Sequence, residues 1–232
     1  MRPVDKGASP YDRINHYTDA QPYLENRIGI YCSYCELPLR HTPHVEHKES
    51  KNSGGALTDW KNLLFSCVYC NSRKLEKIKA GQANLCIWPD NDNTFMAYNY
   101  ENGMPTLNDS YLSQLGQATY DKAKKLFDIV MLDNVPSNPK DKDRRWKNRV
   151  EAYSIAKDLL SDWIVMKETE YKDKTIKSIK NNAIYSGFFS VWMTVFKDEV
   201  EIKNKLIDVF IGAAKNCFDA NGNPIRRNGG II

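Results

Sequence analysis

Residues 44–47 read His44-Val45-Glu46-His47, and they lie between two cysteine pairs, Cys32-Ser-Tyr-Cys35 and Cys67-Val-Tyr-Cys70. Two Cys-x-x-Cys turns supply the four thiolates that a tetrahedral structural zinc site requires. A reactive redox dithiol is the alternative, but redox motifs of this kind usually occur singly. The spacing therefore predicts a four-cysteine zinc site, which would stabilise a segment too short to build a large core.

The segment between the cysteine pairs carries groups suited to hydrolysis. In an extended strand neighbouring side chains point to opposite faces, so Glu46 and His47 can serve different purposes. Glu46 offers a carboxylate and Asn71 an amide oxygen, which are ligands that a hard divalent cation prefers. Neutral His47 has a pKa suited to taking a proton from water near pH 7. These residue types predict metal-assisted hydrolysis of a phosphodiester.

The local pattern predicts the order strand, loop, strand, helix in this region. Residues 42–47 are expected to be extended, and Asn52-Ser53-Gly54-Gly55 marks a loop over residues 50–59. Residues 62–66, Asn-Leu-Leu-Phe-Ser, are typical of a second short strand. Asn71 is expected to open a helix over residues 71–79, because Asn is favoured at helix N-termini.

The pattern of the chain changes near residue 108. Before that point, alternating residues ahead of Asn102-Gly103 predict a β-hairpin. After it, apolar residues at three- and four-residue spacing predict helices over residues 110–131, 141–171, 174–196 and 199–214, with a loop over 219–232. The sequence thus predicts an α+β protein, with a metal module and hairpin in residues 1–107 and a helical bundle in residues 108–232.

The composition fits a folded protein of a reducing compartment. The chain has 232 residues, of which 41% are hydrophobic, and its 33 Lys plus Arg exceed its 29 Asp plus Glu by four. This excess permits a polyanionic partner without requiring one. No apolar run approaches the roughly 20 residues that cross a membrane, and cysteines at metal spacing argue against a disulfide scaffold. We therefore expect a cytoplasmic protein that does not contact a membrane.

These residues resemble the signature of the HNH endonucleases. The resemblance rests on Val45-Glu46-His47, on residues 60–67 (Trp-Lys-Asn-Leu-Leu-Phe-Ser-Cys) and on residues 70–74 (Cys-Asn-Ser-Arg-Lys). It implies the ββα-metal fold, with His47 as general base and with Glu46 and Asn71 holding a catalytic Mg²⁺ or Mn²⁺. It further implies that Asn62 fixes the loop that aims His47, and that Lys74 and Arg73 contact phosphate. Glu46 stands where many members have Asp, and Asn71 replaces a His.

Other segments resemble the PtuB-type HNH proteins of retron and Septu anti-phage systems. These segments are residues 1–4 (Met-Arg-Pro-Val), 31–36, 88–90 (Trp-Pro-Asp), 92–95 and 217–219 (Cys-Phe-Asp). The resemblance implies a nuclease that works beside an SMC-like ATPase of the PtuA type and, in retrons, beside a reverse transcriptase and its RNA/DNA. The helical half is then the expected partner-binding part.

Several alternatives stay open at this level. The zinc module could be a non-catalytic domain that docks nucleic acid or an ATPase. DNA is the favoured substrate, and a structured RNA such as tRNA is the second. The basic run over residues 140–149 fits a nucleic-acid contact or, more commonly for such runs, a solvated helix face. His44 could share a face with Glu46, although a structural role is the usual one.

Overall fold

The computed structural model describes residues 1–41 and 43–232. The α-helices are α1 (Gln21–Ile28), α2 (Val68–Lys74), α3 (Asp109–Gln114), α4 (Gln117–Ile129), α5 (Arg145–Met166), α6 (Lys172–Ser186), α7 (Phe189–Val195) and α8 (Val200–Val209). The strands are β1 (His44–His47), β2 (Leu63–Ser66), β3 (Tyr98–Glu101) and β4 (Met104–Leu107). Short 3₁₀ helices lie at Tyr17–Ala20, Lys51–Ser53, Trp60–Asn62, Ala83–Leu85 and Lys215–Cys217. The predicted α+β class is confirmed.

The first sheet is the antiparallel pair of β1 and β2, which α2 follows directly. Val45 lies opposite Phe65 and His47 opposite Leu63. All four residues of β2 are buried, as their apolar character predicts. The predicted order of strand, loop, strand and helix is confirmed, although Thr42, which the prediction placed in the first strand, lies outside the described residues.

Helix α2 begins and ends earlier than predicted. Cys67 is extended, and its Sγ accepts a hydrogen bond from the Cys70 amide at 3.4 Å, so a cysteine of the predicted zinc site caps the helix. Leu75 has a φ of +42° and ends it. The prediction of a helix over residues 71–79 was wrong because propensity favours Asn as an N-terminal residue and does not anticipate a sulfur cap. Asn71 lies inside the helix instead.

The second sheet is the hairpin of β3 and β4, as predicted. Tyr98 pairs with Leu107 and Glu101 with Met104. Asn102 and Gly103 have φ values of +51° and +75°. Two successive positive φ angles are typical of the turn that matches the twist of a two-residue hairpin, and Asn-Gly adopts them readily.

Two of the predicted long helices are interrupted at a glycine. The helix predicted over residues 110–131 is divided into α3 and α4, since Gly116 has a φ of +88°. The helix predicted over residues 174–196 is divided into α6 and α7, since Gly187 and Phe188 have φ values of +73° and +54°. A residue with a positive φ cannot continue a right-handed helix. The chain therefore changes direction between α3 and α4 and between α6 and α7.

Two hydrophobic cores hold the elements together. One contains the apolar side chains of β1, β2, the hairpin, α3 and α4, and it includes Phe188 and Val191 from the segment of α7. The other joins α5, α6, α7 and α8. Ile232, which follows the irregular segment predicted over residues 219–232, is buried in the first core. The first core therefore draws residues from both sides of position 108.

Glu36 links the first cysteine turn to the helical half. Its carboxylate accepts hydrogen bonds from the amide and the hydroxyl of Ser190, and its backbone carbonyl accepts one from the Phe188 amide at 3.1 Å. The side chain is buried. Because a buried carboxylate must be hydrogen-bonded, this contact fixes where α7 starts against the cysteine turn. None of the helices in the described residues is long and apolar enough to cross a membrane.

The glycine at the α6–α7 turn should tolerate no side chain. A Cβ at Gly187 would lie 2.6 Å from the Glu36 carbonyl oxygen, whereas a Cβ at Gly116 would meet no atom within 4 Å. Both positions have a positive φ, so alanine at either should cost about 1–2 kcal/mol. Gly187→Ala should cost about 1–3 kcal/mol more, because of the clash. Urea unfolding of both variants measures the difference, and equal losses would contradict the close approach.

Candidate metal and hydrolytic site

The four cysteines of the two pairs converge on one point. The Sγ atoms of Cys32, Cys35, Cys67 and Cys70 all lie within 4.8 Å of one another and all are buried. The sulfurs of Cys35 and Cys67 are 3.7 Å apart. A tetrahedral zinc with Zn–S bonds of about 2.3 Å places its sulfurs about 3.8 Å apart, so the cluster fits a structural zinc ion.

Burial in this environment shifts the pKa values of these thiols. Burial raises the pKa of the Cys32 and Cys70 thiols well above the ordinary value. Burial acts in the same direction on Cys35, but hydrogen bonds from the three other thiols outweigh it and lower its pKa. A zinc ion would bind the deprotonated forms and release their protons.

Arg145 brings a positive charge to the cysteine cluster from α5. Its Nη1 donates to the Cys70 Sγ at 3.1 Å, and its other nitrogens hold Asp143, with the shortest contact at 2.7 Å. The guanidinium is buried, and so is that of Arg149 one helical turn later. A zinc tetrathiolate at this site would carry a net charge of −2, which these arginines would partly offset. The basic run over residues 140–149 was expected to be either a solvated helix face or a nucleic-acid contact. Arg145 and Arg149 are neither, because both are buried.

Beside the cysteine cluster, a cleft of about 550 Å³ brings three of the predicted residues together. Glu46, His47 and Asn71 all line it. All four residues of β1 line the cleft, so His44 and Val45 border it together with Glu46 and His47. Asn71 is half-buried on α2, within the helix rather than at its start.

His47 is held in a single tautomer. Its Nε2 lies 2.9 Å from the carbonyl oxygen of Leu57, and since a carbonyl only accepts, Nε2 carries the proton. The Nδ1 atom therefore keeps its lone pair. Burial lowers the pKa of His47 below its usual value, against the Leu57 hydrogen bond, and the charges of Lys51 and Lys74 act in the same direction as burial. The ring is thus neutral near pH 7.

Asn62 holds the loop that carries Leu57. Its Oδ1 accepts a hydrogen bond from the Glu49 amide at 2.8 Å, while its Nδ2 donates to the carbonyls of Glu49 and Ala56 at 3.0 and 2.8 Å. Ala56 directly precedes Leu57. The side chain of Asn62 therefore closes the loop after β1 and places the carbonyl that orients His47.

Glu46 is paired with a lysine that is itself buried. The Lys74 Nζ lies 2.8 Å from Oε1 of Glu46, but not in the direction of a good hydrogen bond, so this oxygen keeps its lone pairs for another partner. The same Nζ donates to the backbone carbonyl of His47 at 2.6 Å. Burial raises the pKa of Glu46, and Lys74 opposes that effect. Lys74 thus clamps two consecutive residues of β1 to α2.

Lys74 and Arg73, the two residues expected to bind phosphate, are both otherwise engaged in the structure. Lys74 is fully buried beneath the strand. Arg73 forms an ion pair with Asp141 at 2.9 Å, with both side chains partly exposed. A phosphate at Lys74 would have to displace both Glu46 and the His47 carbonyl.

The donor set fits a hard divalent ion. Glu46 and Asn71 present oxygen atoms to one cleft, and Oε1 of Glu46 lacks a hydrogen-bond donor. Mg²⁺ is typically held by one or two protein oxygens with water completing its shell. Two residues of this region escaped the sequence analysis: Leu57, which acts through its backbone, and Tyr17, whose ring centroid lies 4.9 Å from that of His47. No spacing rule points to either.

Comparison with known proteins agrees with this geometry. The family model described as HNH endonuclease matches residues 32–77, which begin at Cys32 and include β1, β2 and α2. Comparison with curated proteins and with solved structures found no match. The matched segment holds all four cysteines together with Glu46, His47, Asn62 and Asn71.

The two basic residues at the end of α2 should differ sharply in their effect on stability. Lys74→Met leaves the Glu46 carboxylate buried without a partner, and losing one member of a buried pair costs about 3–5 kcal/mol. Arg73→Ala removes a partly exposed pair and should cost less than about 1 kcal/mol. Urea unfolding measures both. Similar losses in the two variants would show that Lys74 is not the clamp.

Proposed function

We propose that this chain is a metal-dependent HNH endonuclease that hydrolyses phosphodiester bonds of nucleic acid. The observation that carries the proposal is the placement of His47: its Nε2–H is fixed on Leu57, and it borders the same cleft as Glu46 and Asn71. A base for the water and oxygen ligands for a divalent cation are the parts that metal-assisted hydrolysis of a phosphodiester uses. The family match to residues 32–77 supports the same activity.

In the proposed mechanism His47 is the general base. Its Nδ1 accepts a proton from a water molecule, and the water oxygen attacks the phosphorus. A new P–O bond forms, the P–O bond to the departing sugar oxygen breaks, and that oxygen takes up a proton from solvent. The Leu57 carbonyl stabilises the imidazolium that results, because it accepts the Nε2–H bond throughout.

The other predicted residues hold and orient the reacting groups. Glu46 and Asn71 would hold one Mg²⁺ or Mn²⁺ ion, which stabilises negative charge on the phosphate and on the leaving oxygen when bound. Lys74 keeps Glu46 in place, and Asn62 keeps the loop closed behind His47. Cys32, Cys35, Cys67 and Cys70 would hold the zinc that supports α2.

We further propose a role in anti-phage defence, as the nuclease of a cytoplasmic complex with an SMC-like ATPase of the PtuA type and, in a retron, a reverse transcriptase with its RNA/DNA. The support is the resemblance of residues 1–4, 31–36, 88–95 and 217–219 to PtuB-type proteins. DNA is the proposed substrate, with tRNA as the second candidate. The nuclease assays below therefore include the ATPase as one arm.

His47→Ala should abolish cleavage without unfolding the protein. Loss of a general base lowers the rate by about 10²–10⁴-fold. Plasmid DNA and tRNA are incubated with wild type and variant, with Mg²⁺ or Mn²⁺, and with or without the ATPase. Zinc content and the urea midpoint should stay those of wild type, and His41→Ala serves as a control because His41 lies outside the cleft.

Full activity in His47→Ala would overturn the assigned base. Absence of cleavage by the wild-type protein in every arm would instead favour the alternative, a zinc module that docks nucleic acid or an ATPase without hydrolysing anything.

The pH profile should reflect the lowered pKa of His47. A protonated imidazole cannot accept a proton, so kcat/KM should rise with pH through the pKa of the free enzyme. Because burial lowers that pKa from its ordinary value of 6.5, the acidic midpoint of the profile should lie below pH 6.5. Single-turnover rates from pH 5 to 8 measure it. A midpoint above pH 6.5 would contradict a neutral, buried base.

A further inference from the structure

The cleft that holds His47 has one basic side chain that no assigned role explains. Among the described residues that line the cleft, Lys51 is the single lysine or arginine. It lies in the 3₁₀ helix Lys51–Ser53, four residues after His47, and it is exposed. Phosphodiester substrates carry a negative charge at every nucleotide, and a hydrolytic cleft must hold that charge.

The exposed side chain of Lys51 is held in place by contacts with Tyr17. The Lys51 Nζ donates to the Tyr17 hydroxyl at 2.9 Å and lies 4.1 Å from the centre of the Tyr17 ring. An ammonium over an aromatic face is attracted by the ring electrons. One of its three N–H groups is engaged by the hydroxyl, which leaves two for another acceptor.

The same tyrosine also touches the candidate base. The rings of Tyr17 and His47 meet edge to face with centroids 4.9 Å apart. Tyr17 belongs to the 3₁₀ helix Tyr17–Ala20, which lies before the matched segment of residues 32–77. One aromatic ring therefore sets the position of Lys51 relative to His47.

The two carboxylates of the cleft, Glu46 and Glu76, have partners other than Lys51. Glu46 is paired with Lys74, and Glu76 accepts hydrogen bonds from the side chains of Asn52 and Ser53 at 3.1 and 3.5 Å. Lys51 has no carboxylate partner among the ion pairs of the described residues. Its charge is thus available to an anion that enters the cleft.

We propose that Lys51 binds a backbone phosphate of the nucleic acid beside the bond that is cut, and that Tyr17 positions Lys51 for this contact. This inference rests on the proposed nuclease function and deepens it, because it assigns the phosphate contact to a residue other than Lys74 and Arg73. The contact reads charge and not base sequence, so it serves DNA and RNA alike.

Binding without catalysis tests the proposal. Fluorescein-labelled duplex DNA, single-stranded DNA and tRNA are titrated with wild type, Lys51→Ala and Lys157→Ala in buffer without added divalent ions, at 50 to 200 mM salt. Lys157 is an exposed lysine of α5 outside the cleft and controls for the loss of one charge. Lys51→Ala should weaken binding about three- to tenfold and lower the salt slope by about 1, while Lys157→Ala changes neither.

Two conservative variants separate positioning from charge. Lys51→Arg keeps the positive charge and should restore most of the affinity. Tyr17→Phe keeps the ring and loses the hydroxyl, so it should weaken binding about two- to threefold with no change in the salt slope, since Lys51 remains. Tyr17→Leu should weaken binding further.

The proposal fails if Lys51→Ala binds all three nucleic acids with the affinity and salt slope of wild type, or if the wild type binds none of them. The nuclease assignment fails separately, through absence of cleavage. A protein that cuts nothing but loses affinity in Lys51→Ala would refute the enzyme and keep the phosphate contact.

Discussion

The convergence of four cysteine sulfurs is the constraint on which the rest of the structure depends. It fixes the start of α2, because the Cys67 sulfur also caps that helix. The helix in turn carries Asn71 into the cleft and Lys74 beneath β1. A zinc ion bound by the four sulfurs would add its binding free energy to the apolar packing that already holds the ββα unit.

Buried ion pairs complete this framework on both sides of His47. Glu46, just before it, is paired with Lys74, and Lys48, just after it, shares the buried Asp90 carboxylate with Lys6, each at 2.9 Å. An isolated buried charge would destabilise the folded state, whereas a buried ion pair is tolerated. Removing one partner of such a pair is strongly destabilising. His47 therefore lies at the end of a strand that is anchored one residue to either side. This arrangement suits a reaction in which a water, a phosphate and a base must line up within tenths of an ångström.

The features that could be predicted from sequence are those with a local chemical signal. The cysteine spacing predicted a metal cluster and Asn102-Gly103 predicted the hairpin. Two short extended segments on either side of the loop Asn52-Ser53-Gly54-Gly55 predicted β1 and β2. The boundaries of α2 could not be predicted, because a thiol that caps a helix is specified by the cluster and not by propensity. The breaks at Gly116 and Gly187 carried a signal, but an isolated glycine is compatible with a continuous helix.

Contacts between side chains that are distant in sequence could not be predicted from any sequence pattern. The family resemblance implied that Lys74 contacts phosphate, whereas its buried ammonium contacts Glu46 and the carbonyl of His47. Charge alone favoured a solvated face for the basic run of residues 140–149, whereas Arg145 and Arg149 are buried and Arg145 donates to the Cys70 sulfur. Leu57 contributes only a carbonyl, which no residue type reveals.

The contact between Arg145 and Cys70 ties the segment of residues 32–77 to the helical half of the chain. A zinc finger is commonly regarded as a portable cassette, which folds wherever it is grafted. Here the positive charge beside the Cys70 sulfur comes from α5, and the apolar faces of the strands share a core with Phe188 and Val191. A fragment of residues 32–77 would keep the four cysteines and all of the candidate site residues Glu46, His47, Asn62 and Asn71. It would lose the packing and the buried arginine that hold these residues in a rigid arrangement.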